Sequence, residues 1–131
     1  MDLNLSVGMA GTAADKVTNE NTAVKFGSGT VKVYATPAMV GLMEKAAINC
    51  VDDKLPAGYA SVGTKVEIRH LAATPVGLDV RAEAELIEID GFKLKFKITA
   101  YDSMEKIGEG THSRYVIKLE EFLKKTEAKL E

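Results

Sequence analysis

The chain has 131 residues, 46% of them hydrophobic and 27% charged, with a formal net charge of -2 at pH 7. That length suits one hydrophobic core and a single domain over residues 1–131, and the composition excludes a disordered or fibrous chain. The faintly acidic balance offers no global field for nucleic acid or an anionic membrane, and no apolar run approaches the ~20 residues of a membrane span.

The N-terminus, MDLNLSVG, lacks the basic-then-apolar order of a signal peptide. One cysteine, Cys50, leaves no internal disulfide and fits a reducing, cytoplasmic setting, which is the expectation here. Along the first thirty residues the only candidate element is an early strand within Asp15–Phe26, closed by Gly27–Gly29. A short extended piece, Thr30–Ala35, leads into TPAMVGLMEKAAINCV, Thr36–Val51, which reads as one helix apolar on almost every side. Thr36 suits its cap and Pro37 its first turn, where a missing N–H costs nothing. Asp52-Asp53 should mark its end.

From Val62 the hydrophobic period becomes two. In TKVEIRHL, Val66, Ile68 and His70 share one face. In LDVRAEAELIEID the alternation runs from Leu78 and slips at Leu86-Ile87, which predicts a bulge. Asp90-Gly91 signals a hairpin, and FKLKFKITAY then alternates cleanly from Phe92, with Lys93, Lys95 and Lys97 on a solvated face. IGEGTHSRYVI reads as a further strand, and KLEEFLKKTEAKLE as an amphipathic terminal helix. A sheet apolar on one face needs a cover, and the only segment apolar enough is the helix. The predicted architecture is α+β: a curved antiparallel sheet wrapped around one long central helix, with a helix at the C-terminus.

Glu44 is the anomaly in that helix. Its neighbours three and four residues away are Val40, Gly41, Ala47 and Ile48, and a desolvated carboxylate needs a partner or a cleft. A narrow solvent-facing stripe would account for it. His70, on the inward face of its strand, supplies the other reading: an imidazole beside a carboxylate is oriented by it and made more basic. Thr36 adds a hydroxyl at the helix start, where unpaired N–H groups favour an anion or a developing oxyanion. Cys50 reads as core packing. Two histidines and one cysteine far apart make no metal site, so none is expected.

Three runs carry a family resemblance: A-T-x-x-M-V-G-L-x-E from Ala35, G-T-x-x-x-x-x-H from Gly63 followed by A-A-T-P, and I-G-x-G-T-H-x-R from Ile107. In order and spacing they resemble the hot-dog-fold acyl-CoA thioesterases of the fluoroacetyl-CoA thioesterase type, over roughly Val31–Leu119. The resemblance implies a catalytic Thr36, Glu44 and His70, and substrate-binding roles for Gly63, Thr64 and Arg114. It implies a homodimer joined edge to edge through its sheets, with pairing into tetramers left open, and an acyl-CoA groove at the dimer interface. Coenzyme A would enter as part of the substrate, with no other cofactor.

The segment GSGTVKVY has small residues where a fluoroacetyl-specific enzyme would carry an aromatic-rich lid. The reaction class is therefore carried over, as hydrolysis of a small or short-chain acyl-CoA, and the fluorinated substrate is not. Glu44 would serve as base or nucleophile, His70 would move the proton, and backbone N–H groups at Gly63-Thr64 or the helix start would hold the oxyanion. The alternatives are a hydratase or dehydratase on the same fold and a non-catalytic acyl-CoA-binding module.

Overall fold

The computed structural model describes residues 2–131. Five strands, β1 (Ala10–Lys16), β2 (Tyr59–His70), β3 (Asp79–Asp90), β4 (Lys93–Asp102) and β5 (Lys106–Lys118), form one sheet. Its order is β1-β3-β4-β5-β2, every neighbouring pair antiparallel, so β1 and β2 are the edges. The helices are a short α1 (Ala23–Phe26), the long α2 (Thr36–Val51) and the terminal α3 (Leu119–Glu127).

The concave face follows from the period-two pattern. Val80, Ala82, Ala84 and Leu86 on β3, with Leu94, Phe96, Ile98 and Ala100 on β4, are all buried against α2. Each larger side chain removed from water there contributes about 1.5–3 kcal/mol. At the predicted slip the register shifts between Leu86 and Glu88, turning Ile87 outward. Gly91, with φ +61°, supplies the left-handed residue of the β3–β4 hairpin. Lys93, Lys95 and Lys97 lie exposed on the convex face, as predicted.

Two sequence expectations are corrected. The first strand is not at Asp15–Phe26 but at Ala10–Lys16. Thr18 and Thr22 divert the following chain into helical turns: the Thr18 hydroxyl accepts from the Glu20 N–H and the Thr22 hydroxyl from that of Lys25. β1 itself, AGTAADK, is held by pairing with β3 and by contact with α2. That contact is tight: a methyl group on Gly11 would lie 2.5 Å from the Ala46 carbonyl oxygen.

The second correction concerns α2. Met39, Leu42, Met43, Ala46, Ala47, Cys50 and Val51 are buried, but they occupy one side only. Pro37, Gly41, Lys45 and Asn49 are exposed, and Val40, Glu44 and Ile48 are half-buried. The sheet covers half of the helix and leaves a partly apolar flank open. The cap is also shifted, for Ala35 is the N-cap without a side-chain bond and Thr36 is already helical. The Thr36 hydroxyl is thereby free for another partner.

Candidate active site

That partner is His70. The Thr36 Oγ1 lies 2.7 Å from His70 Nδ1, joining the first turn of α2 to the last residue of β2. The pair borders an open cleft of about 360 Å³, shared with Ser28, Val33, Tyr34 and Ala72. His70 Nε2 is buried without a hydrogen-bond partner among the described residues. Burial pushes the His70 pKa below its ordinary value, against a smaller upward pull from the backbone at Ala72. The neutral ring can therefore accept a proton from Thr36 or a bound water and pass it on.

Glu44 stands elsewhere. It follows Thr36 by eight residues on one helix, which is about 12 Å along the axis. Its Oε2 faces Gly63 on β2: a methyl group on Gly63 would lie 3.0 Å from that oxygen, 3.3 Å from His112 Cε1 and 3.4 Å from Arg114 Nη1. Gly63 and His70 are seven residues apart on β2, roughly 20 Å. One chain thus brings Thr36 to His70, and Glu44 to Gly63 and Arg114, but does not bring the two groups together. The sequence-based pairing of Glu44 with His70 does not occur within a chain. Face parity identifies the inward side of a strand and not the position along it.

Gly63 and Thr64 sit at a second irregularity, where the β2–β5 register shifts between Gly63 and Lys65. Such a bulge leaves a residue outside the ladder and can aim its backbone at a site. The Thr64 hydroxyl turns away and donates to the Ser113 carbonyl at 3.2 Å.

Arg114 is 5% exposed and His112 1%, so both belong to the interior. Arg114 Nε donates to Ser61 Oγ at 2.7 Å and Nη2 to the Ser61 carbonyl at 2.8 Å, while Nη1 approaches His112 Nε2 at 3.1 Å. Ser61 Oγ donates in turn to Asp52. His112 Nδ1 is 2.8 Å from the Lys65 carbonyl, which assigns the proton to Nδ1 and leaves Nε2 to accept from Arg114. Burial and the Arg114 charge hold the His112 pKa down, against upward pulls from the Lys65 carbonyl and Glu44. Burial also lowers that of Arg114, opposed by the negative charges of Asp52 and Glu44.

Sequence reasoning missed Asp52, Ser61 and His112. The two-residue spacing of His112 and Arg114 along a strand is a signal that puts them on one face, but nothing local points to Ser61, which lies 53 residues from Arg114.

Both imidazoles have folded pKa values below the ordinary 6.5. The unfolded chain then binds more protons just below that value, so folding stability is full above about pH 6.5 and declines as pH falls toward the folded values. The melting temperature should drop between pH 7.5 and 5.5, and drop less in His112→Gln. A curve identical for the two proteins would remove His112 from this account.

The family model described as fluoroacetyl-CoA-specific thioesterase, FlK, matches residues 17–120. The chain belongs to that family. It is 44% identical over 98 residues to the fluoroacetyl-CoA thioesterase of Streptantibioticus cattleyicolor, covering 75% of this chain and 70% of that protein. The solved structure of the fluoroacetyl-CoA thioesterase FlK superposes with a TM-score of 0.89 at 37% identity, covering 95% of this chain and 97% of the other. A hot-dog-like protein from Thermanaerovibrio acidaminovorans gives a TM-score of 0.89 at 25% identity, covering 100% and 98%. The sheet wrapped on a helix is the hot-dog fold of this thioesterase family, as the three sequence runs implied.

Proposed function

We propose that this chain is an acyl-CoA thioesterase, hydrolysing a small or short-chain acyl-CoA to the free acid and CoA as a homodimer. In that dimer Glu44 of one subunit meets Thr36 and His70 of its partner. The observation that carries this reading is the Thr36–His70 hydrogen bond at a helix start, with the half-buried carboxylate of Glu44 two turns further along the same helix. The family supports the reaction class.

The two-fold arrangement is supported by what a single chain leaves open. β2 is an edge strand with unused ladder groups, and the flank of α2 bearing Val40, Gly41, Glu44 and Ile48 is only partly covered by its own sheet. An antiparallel pairing of two β2 edges about Val66-Glu67 sets Gly63 of one chain opposite the partner's His70. One short thioester can then touch both halves.

Glu44 activates water or itself attacks the carbonyl carbon, giving an acyl-enzyme that water cleaves. In both routes the C–S bond breaks and the thiolate leaves with the electron pair. Thr36 and His70 orient the carbonyl and return a proton to sulfur. Backbone N–H groups at Gly63-Thr64 or the start of α2 hold the oxyanion. The proposed reaction uses only water, these side chains and the backbone, with coenzyme A entering as part of the substrate. No described helix is long and apolar enough to cross a membrane, and the free Cys50 supports a reducing, cytoplasmic setting.

A panel of acyl-CoAs of graded length, read by release of free thiol, tests the function. kcat/KM should be highest among the shortest acyl groups and fall with length. Hydration of an enoyl-CoA without thiol release would indicate the hydratase chemistry, and binding without turnover a binding module. Either overturns the proposal.

A further inference from the structure

The row Asp52–Ser61–Arg114–His112 touches β2 in a patterned way. Arg114 donates to the Ser61 carbonyl and His112 to the Lys65 carbonyl, and these lie two residues to either side of Gly63. The two side chains are also bonded to each other. Asp52, just after the end of α2, fixes Ser61 through its backbone N–H and its hydroxyl. His112 is stacked on Phe96 with ring centroids 6.2 Å apart. The β2 bulge is therefore gripped at both shoulders from inside the sheet, on the side that faces Glu44.

We infer that His112 and Arg114 are positioning residues: together they staple the Gly63–Thr64 bulge from beneath and set the backbone that faces Glu44. The acceptor Nε2 of His112 takes one hydrogen of Arg114 Nη1, which fixes the guanidinium plane. The Ser61 hydroxyl and carbonyl fix the other edge. A fork with several donors at fixed angles does this where an ammonium cannot. A reaction centre tolerates only roughly 0.5 Å of displacement, which is why the backbone facing Glu44 needs support on both sides of the bulge.

The kinetic part of the inference rests on the thioesterase reading, and the structural part does not. The test compares the full-length parent with His112→Phe, which keeps an aromatic ring against Phe96 and loses both nitrogens. His112→Gln keeps a donor and an acceptor. In hydrogen exchange, the amides of residues 62–66 should exchange about tenfold faster in His112→Phe, with β3 and β4 unchanged. In thiol release, His112→Phe should lose roughly 30-fold in kcat with KM within about threefold, and His112→Gln should recover most of it. Unchanged exchange over residues 62–66 overturns the staple. So does a folded His112→Phe with the parent's kcat, or a His112→Gln as impaired as the phenylalanine variant. If the parent itself releases no thiol, the thioesterase reading fails and the exchange result still decides the staple.

Discussion

Glu44→Gln is expected to lower kcat on short acyl-CoAs by about 10³-fold, the range that a positioned acid or base contributes. The substitution keeps the shape of the side chain and removes the base and nucleophile. Glu44 is half-buried on the open flank of α2, away from the helix's buried side. The fold should accordingly survive, with far-UV circular dichroism and melting temperature close to the parent's. KM should change little, because the amide still fills the space beside Gly63. A variant within tenfold of the parent's kcat would remove Glu44 from the chemistry.

The second large effect comes from mixing two inactive proteins. Thr36→Ala loses the hydroxyl that meets His70 and should by itself cost about 10²-fold in kcat. If each site takes Glu44 from one subunit and Thr36–His70 from the other, a heterodimer of Glu44→Gln with Thr36→Ala contains one intact site and one doubly defective site. Half of a randomly exchanged population is heterodimeric, so subunit exchange should restore roughly a quarter of the parent's activity. If each chain builds its own complete site, mixing restores nothing. The recovery should appear at the rate of subunit exchange and require both proteins.

Much of this could be read before any coordinates, for reasons that differ from element to element. β3 and β4 alternate because one face meets α2 and the other water, and that contrast is written directly in Leu94, Phe96 and Ile98 against Lys93, Lys95 and Lys97. The slip at Ile87 was visible because a bulge breaks parity. β1 was not legible: AGTAADK has small residues and no alternation, and its position is set by β3 and by close contact with Ala46 and Cys50. α2 was legible as a helix, but its overall apolarity hid the fact that one flank faces away from its own sheet.

The candidate site divides along the same line. Thr36, Glu44 and His70 stood out by residue type and by face. Their separation did not, because a strand's parity repeats every two residues while β2 extends over 12. The interior row behind Gly63 depends on contacts between residues about fifty positions apart, for which a single sequence carries no marker.

The rod that carries Thr36 and Glu44 is continuous, without a kink-inducing proline between them beyond Pro37 in the first turn. It therefore works as a ruler. One residue inserted between the two would turn Glu44 by about 100° and advance it by about 1.5 Å. In a symmetric pair the ruler is read twice in opposite directions, so the same insertion would spoil both reaction centres at once. On the proposed two-fold site, differences in the acyl group accepted would then fall to the segments bordering the cleft, at residues 28–34 and 71–73, rather than to the spacing along this helix.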